Sequence, residues 1–290
     1  MTLLRNLRVV LQRAMNEGYA VGAFNIINLE FLEAVIAAAK WKQAPVILNI
    51  AEIHLPYINL EYLVYLVKEI AAREKLEIVL NLDHGQSMNV IRRCLDLGFT
   101  SVMYDGSHLS LAENIRHTRE VVAICRAADV SVEAELGAVG GSEGGDLLGF
   151  ADPDRFTDVV ESQYFVKETG IDALAVAIGN AHGQYHGAPQ LDFVRLQQIK
   201  EATAIPLVLH GGSGLSADDF KKAIRFGICK VNFFTGMSQA ALQTMRDFLF
   251  NNGQKYNEYV EMVARVKENV SEVVAGQIDI FGSSGKMCLK

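Results

Sequence analysis

Short apolar runs recur along the chain, separated by longer segments in which apolar positions return every three or four residues. The runs are YAVGAFN (19–25), PVILNI (45–50), EIVLNLDH (77–84), TSVMYDG (100–106), VSVEAEL (130–136), DALAVAIGN (172–180), IPLVLHGG (205–212) and KVNFFTG (230–236). Each is short, β-branched and apolar on both faces, the pattern of a strand buried in a parallel sheet. The segments between them have helical period. In NLEFLEAVIAAAKW, Phe31, Leu32, Val35, Ile36 and Ala39 share one stripe, Asn28 is placed to cap the N-terminus, and Trp41 is expected to pack at the far end. Residues 59–74, 88–98, 110–128, 153–169, 191–203 and 216–227 read similarly. Ser110 and Glu113 have capping-box spacing, Ser216 and Asp219 a looser version, and Ser87 is expected to cap the helix that follows it.

Eight strands, each followed by a helix within about 250 residues, predict an α/β fold of the (β/α)8 TIM-barrel type. A doubly wound open sheet is the alternative. Extra helices are expected at both ends, the first in MTLLRNLRVVLQRAMNEG. No linker-like or low-complexity stretch interrupts the pattern, so residues 1–290 are expected to form a single domain. The exception to the alternation is GAVGGSEGGDLLGF (137–150), in which six of fourteen residues are glycine. It follows the fifth run and is too polar and flexible for a helix, so it is expected to be a lid over the active face.

A barrel reading makes the chemistry testable, because catalytic groups in this fold sit at the carboxyl ends of the strands. The third run ends in Asp83-His84, the fourth in Asp105-Gly106-Ser107, and the fifth carries Glu133 and Glu135. The sixth ends in Gly179-Asn180-Ala181-His182-Gly183, the seventh in His210-Gly211-Gly212-Ser213, and the eighth carries Asn232 and reaches Thr235. The first adds Asn25, and Glu52 and His54 lie just beyond the second. Three of these ends carry histidine. If they converge, His84, His182 and His210 can bind a Zn²⁺ ion with an open fourth position. Gly211, Gly212, Ser213, Asn232 and Thr235 form a candidate phosphate cradle, since bare backbone amides approach an anion closely and this barrel usually binds phosphate after strands seven and eight.

Charge and composition narrow the partners. The chain carries 34 acidic and 27 basic residues, a net charge of −7, and no segment concentrates Lys or Arg. Nucleic acid and anionic membrane are therefore not expected partners. No run reaches the roughly 18 apolar residues of a membrane span, and Arg5, Arg8 and Arg13 interrupt the first helix, which does not read as a signal peptide. Cys94, Cys125, Cys229 and Cys288 form no CxxC pair and read as reduced, structural thiols. A cytoplasmic protein is expected.

The ordered segments AFNIINLE, LDHG, DGSH, VEAELGAVGG, LAVAIGNAHG, PLVLHGGSG, KVN and FGSSGK resemble the class II, zinc-dependent ketose-bisphosphate aldolases, which include fructose- and tagatose-bisphosphate enzymes. The resemblance runs from about residue 4 to the end of the chain. It implies reversible aldol cleavage with dihydroxyacetone phosphate as the ketone half. On the matching motifs, it implies that His84, His182 and His210 are zinc ligands, and that Asp83 exchanges a proton with the C4 hydroxyl or aldehyde oxygen. Glu143 in the lid corresponds to the base at C3, and Asp105 and Glu135 to second-shell or alternate metal positions. Gly183, Gly211, Ser213, Asn232 and Thr235 correspond to phosphate- or substrate-binding positions. A monovalent cation (Na⁺ or K⁺) near the phosphate, and assembly as a homodimer or homotetramer, are also implied. The chemistry suits these residue types. Zinc polarises a carbonyl and stabilises the charge that develops as the C3–C4 bond breaks, so a lysine Schiff base is unnecessary.

Three features depart from the family pattern. Phe234 stands where relatives present a small or polar residue, and 253–263 (GQKYNEYVEMV) lacks the arginine that binds a distal phosphate. Ala51 also replaces a frequent serine. These changes predict a phosphorylated ketose other than the usual hexose bisphosphate. A true fructose- or tagatose-1,6-bisphosphate aldolase is the alternative. Readings of another class are a zinc hydrolase on the same barrel, or a non-catalytic sugar-phosphate sensor.

Overall fold

The protein is described by a computed structural model covering residues 4–140, 153–183, 189–250 and 258–288. Its elements run in the order α1 (Leu7–Glu17), β1 (Val21–Asn25), α2 (Leu29–Lys42), β2 (Val46–Ala51), α3 (Leu60–Glu74), β3 (Ile78–Gly85), α4 (Met88–Asp96), β4 (Ser101–Tyr104) and α5 (Leu111–Ala127). These are followed by β5 (Ser131–Leu136), α6 (Val159–Thr169), β6 (Ala173–Val176), α7 (Phe193–Thr203), β7 (Leu207–Leu209), α8 (Ala217–Arg225), β8 (Ile228–Phe233), α9 (Thr235–Phe250) and α10 (Tyr259–Phe281). The eight strands form one closed parallel barrel, β1 pairing with both β2 and β8. Parallel pairing puts every carboxyl end at the same rim, so the polar strand ends read from the sequence share one face.

The expected caps are largely in place. Asn28 accepts the amide of Phe31, and both Ser110–Glu113 and Ser216–Asp219 make complete capping boxes. Two expectations fail. Ser87 holds the N-cap position of α4 without a side-chain cap; the Glu52 carboxylate reaches over from the end of β2 and accepts the amides of Gln86 and Ser87 instead. Trp41 does not pack into the barrel. It is 67% exposed, with the Lys42 ammonium 4.4 Å from its ring centroid.

Two apolar regions hold the barrel. The larger lies between the strands and the surrounding helices. The smaller lies inside, where Val21, Ala23, Ile47, Val79, Met103 and Val208 meet Leu7, Val10, Leu11 and Ala14 of α1. The first helix therefore stoppers the amino-terminal end. Its Arg13 forks onto the buried Glu77 carboxylate with contacts of 3.0 and 2.6 Å, and that carboxylate also accepts the Cys288 amide.

Above this apolar floor the interior turns polar. Asn25, Asn49 and Asn81 lie in register on β1, β2 and β3, and Asn81 donates to Asn49 at 3.0 Å. Residues two apart face the same side of a strand, so the same parity that lines the floor with Val79 brings Asn81 and Asp83 into the interior.

Cys94, Cys125 and Cys229 are buried, and burial pushes their thiols up to about 12, 12 and 11. Since the thiolate is the reactive form, Ellman's reagent near pH 8 is expected to label Cys288 quickly and the other three only after denaturation; rapid labelling of more than one thiol in the native protein would contradict this packing.

Candidate active site

Adjacent residues of a strand point to opposite faces, yet Asp83 and His84 both serve the barrel mouth. The backbone explains this. His84 has φ +46°, in the left-handed region, and the β3–β4 register shifts between Leu82 and Gly85. This irregularity turns the His84 ring back over the rim while Asp83 stays in the interior. Non-glycine residues held in this region cluster at functional sites. The next position has no room for a side chain: a Cβ at Gly85 would lie 2.8 Å from the Met103 carbonyl.

Asp83 is fully buried and held through both oxygens, by Asn25 at 3.0 Å and Asn232 at 2.9 Å. Burial alone would raise its pKa. The nearby His84, His210 and Lys230 side chains and the Asn25 hydrogen bond outweigh burial and hold it below the usual carboxylate range.

The three histidines converge, with ring centroids 4.7 to 5.9 Å apart in edge-on arrangements. His84 Nδ1 faces Asp105 at 2.8 Å, and His210 Nε2 faces Glu133 at 3.0 Å. Carboxylates accept, so these outer nitrogens carry the hydrogens. A neutral imidazole has only one. The inner nitrogens, His84 Nε2 and His210 Nδ1, face each other 2.9 Å apart, and on neutral rings they would offer lone pairs to a bound ion. His182 Nε2 is buried with no hydrogen-bond partner. Burial, then the neighbouring charges of His84 and His210, pushes His182 well below its ordinary value. The same causes act on His210, in the order burial, His84 and Lys230. Two inward-facing ring nitrogens and the orphaned His182 nitrogen suit a cation. One ligand atom from each of His84, His182 and His210 lies within 4.8 Å of the others, and His84, Asp105 and Glu135 make a second such group.

The neighbouring loops fix these rings. Asn180 donates to the His210 carbonyl at 3.0 Å, tying the loop after β6 to the one after β7, and the His182 amide donates to the Gly140 carbonyl at 2.7 Å. Gly211, at φ +64°, passes so close to the loop after β6 that a Cβ would sit 2.2 Å from the Ala181 carbonyl, so its lack of a side chain has a steric cause. Gly212 and Ser213 continue this turn, and the Ser213 hydroxyl accepts the Gly236 amide at 3.0 Å in the first turn of α9. Gly183 closes the described part of the loop after β6. Thr235 opens α9, whose N-terminal amides face the same rim.

A cavity of about 500 Å³ opens beside the histidines, lined by His84, Asp105, Glu135 and His182 with Ser107 and Arg155. Phe234 is buried and its ring lies 4.9 Å from that of His54, which follows β2. The aromatic ring therefore packs against a second ring at the rim. Ala51 is buried at the end of β2. Glu143 and most of the expected lid lie outside the described residues.

Sequence reading placed Glu133 on the fifth run without a partner, and missed Lys230 and Arg155. Glu133 and Lys230 form a buried ion pair beneath His210, and Arg155 brings a cation to the cavity. The pair could have been found by parity, since Glu133 and Lys230 stand two positions before Glu135 and Asn232 on strands that end at the site.

A family model described as fructose-bisphosphate aldolase class-II matches residues 5–286. The chain belongs to the class-II fructose-bisphosphate aldolase family. It is accordingly an aldolase, a carbon–carbon lyase. A fructose-bisphosphate aldolase of Staphylococcus aureus is 40% identical over 286 residues, covering 98% of this chain and 99% of that relative. A 6-phospho-5-dehydro-2-deoxy-D-gluconate aldolase of Bacillus licheniformis is 38% identical, covering 97% and 96%. The crystal structure of the YdjI aldolase from Escherichia coli K12 superimposes with a TM-score of 0.86 at 33% identity, covering 98% of this chain and 99% of that one. Among the described residues, no helix is long and apolar enough to cross a membrane.

Glu135 provides a direct test of the site's electrostatics. Burial, then the Asp105 charge, raises its carboxyl from 4.5 to about 8. A buried carboxyl that keeps its proton favours the fold at low pH, and this contribution is lost as pH rises through the folded value. In chelator-treated protein, the stability of wild type relative to Glu135→Gln is expected to fall steadily between pH 4.5 and about 8. Thermal melts across that range check it, and a flat difference would contradict it.

Proposed function

We propose that this family member is a zinc-dependent aldolase that reversibly cleaves a phosphorylated ketose to dihydroxyacetone phosphate and an aldehyde. The observation that carries the reading is the meeting of three histidine nitrogens beside an ionised, doubly held Asp83. When bound by His84, His182 and His210, zinc supplies a Lewis acid that polarises the substrate carbonyl. Asp83 takes the C4 hydroxyl proton during cleavage and returns it to the aldehyde oxygen during condensation. Its two asparagine partners aim the carboxylate and leave no freedom to swing away. Asp105 orients His84 through Nδ1, and Glu135 offers an alternate metal position. Glu143, on the lid segment, serves the C3 proton. Gly183, the Gly211–Ser213 turn, Asn232, Thr235 and the α9 amides hold the phosphate, with Na⁺ or K⁺ beside it. Lys230 does not serve as a Schiff-base amine in this scheme: it is buried and held as an ammonium by Glu133 at 2.7 Å.

The far end of the substrate differs from that of a hexose bisphosphate. Phe234 and His54 wall the rim between β8 and β2, Ala51 brings no hydroxyl, and 253–263 brings no arginine. A ketose 1-phosphate with a neutral or singly charged tail fits this wall, Arg155 being the cation that lines the cavity. A relative named for a 6-phosphogluconate derivative supports such a tail. The protein acts as a homodimer or homotetramer in the cytoplasm in this reading.

Chelation is expected to abolish cleavage, with zinc restoring it, and Glu143→Ala is expected to lose C3 proton exchange on dihydroxyacetone phosphate while still binding zinc. A hydrolase would keep its activity in that variant, and a sensor would bind dihydroxyacetone phosphate without ever exchanging the proton. For the tail, fructose and tagatose 1,6-bisphosphate are expected to be cleaved with kcat/KM below about 10⁴ M⁻¹s⁻¹, an ordinary enzyme value. Steady-state rates above it would return the protein to the bisphosphate enzymes.

A further inference from the structure

Glu133 and Lys230 lie on β5 and β8, strands that do not pair, so their contact crosses the barrel interior. Both side chains are 0% exposed, and Lys230 Nζ donates to Glu133 Oε2 at 2.7 Å. The other oxygen, Oε1, lies 3.0 Å from His210 Nε2. Both oxygens of the carboxylate are thus committed, one to the ammonium and one to the ring.

Stability is a poor explanation for this pair. Desolvating two charges offsets most of their attraction, and apolar side chains of similar volume often hold a fold as well or better. The carboxylate's position has a clearer use. A histidine that ligates a metal through one nitrogen is fixed in tautomer and angle by what accepts the hydrogen of the other. Here Nδ1 of His210 points at His84 Nε2, 2.9 Å away, and Asn232 Nδ2 stands 3.2 Å from the same Nδ1. His84 is held in the mirror sense, with Nδ1 on Asp105 and Nε2 inward.

Resting on the reading of His84, His182 and His210 as the metal site, we propose that Glu133 and Lys230 are positioning residues for it. Glu133 accepts the Nε2 hydrogen of His210, so that the Nδ1 lone pair is presented to the ion, and Lys230 locks the carboxylate in that orientation and offsets its buried charge. Neither residue touches the ion or the substrate.

The test uses the full chain, zinc affinity by chelator competition, and the visible spectrum of the cobalt-substituted protein, none of which needs turnover. In Glu133→Leu/Lys230→Met the charges and the acceptor go together. The zinc-free form is expected to melt close to wild type, whereas zinc affinity falls about ten- to a hundredfold and the cobalt spectrum changes. Glu133→Gln/Lys230→Met, which returns a neutral acceptor opposite Nε2, is expected to recover most of that loss. Wild-type affinity and an unchanged spectrum in the first variant, or no recovery in the second, would overturn the proposal. If the first variant does not fold, ¹⁵N-histidine NMR of the zinc-free wild type decides: a hydrogen on His210 Nε2 supports the assignment, and one on Nδ1 overturns it. Failure of the underlying reading looks different, because wild type itself would then not compete with the chelator for zinc.

Discussion

A charge sealed inside a closed barrel has to find its partner across the barrel, because no water reaches it from the floor. That constraint organises the upper half of this protein. Lys230 meets Glu133, Glu133 meets His210, and His84 meets Asp105, while Asn25 and Asn232 close on Asp83 from two other strands. All but the His84–Asp105 contact, which links the neighbours β3 and β4, join strands that a simple ladder would keep apart. The polar network therefore reports barrel closure as directly as the backbone pairing does, and it holds the site's side chains before any ligand arrives. Preorganisation of this kind is what electrostatic catalysis requires, since groups already in place need no rearrangement as charge develops.

The backbone makes one concession to this arrangement. Placing an acid and an imidazole from adjacent positions at one mouth conflicts with the alternation of a strand. The left-handed turn at His84 and the shifted β3–β4 register resolve the conflict. A strained residue next to a candidate acid/base is also a specification: position 84 must tolerate left-handed geometry and present an imidazole.

Much of this was legible in the sequence. The eight strands lie where the apolar runs predict, with ends trimmed by a few residues, and His84, His182 and His210 do converge because parallel pairing puts their strand ends on one rim. What was not legible has physical causes. The Glu133–Lys230 pair spans 97 positions, and Lys230 does not stand at a strand end, where chemistry was sought. Ser87 had the spacing of a cap, but a better acceptor, the Glu52 carboxylate, arrives from another strand. Trp41 follows the helical stripe yet falls beyond the last turn that the barrel covers, so its ring lies against Lys42. Phe234 was legible only as a departure from the family pattern, and its burial against His54, an aromatic wall at the rim, needed the fold.

The stopper formed by α1 has a further consequence. Leu7, Val10, Leu11 and Ala14 seal the amino-terminal end, which makes the barrel a cup rather than a pipe. Substrate, products and water all pass over one lip. A mutation can therefore retune what the cup accepts only by reshaping that lip, and the base is free to conserve the folding information. Two relatives named for different phosphorylated substrates match this chain along nearly its whole length at 40% and 38% identity, as such a division of labour between lip and base would allow.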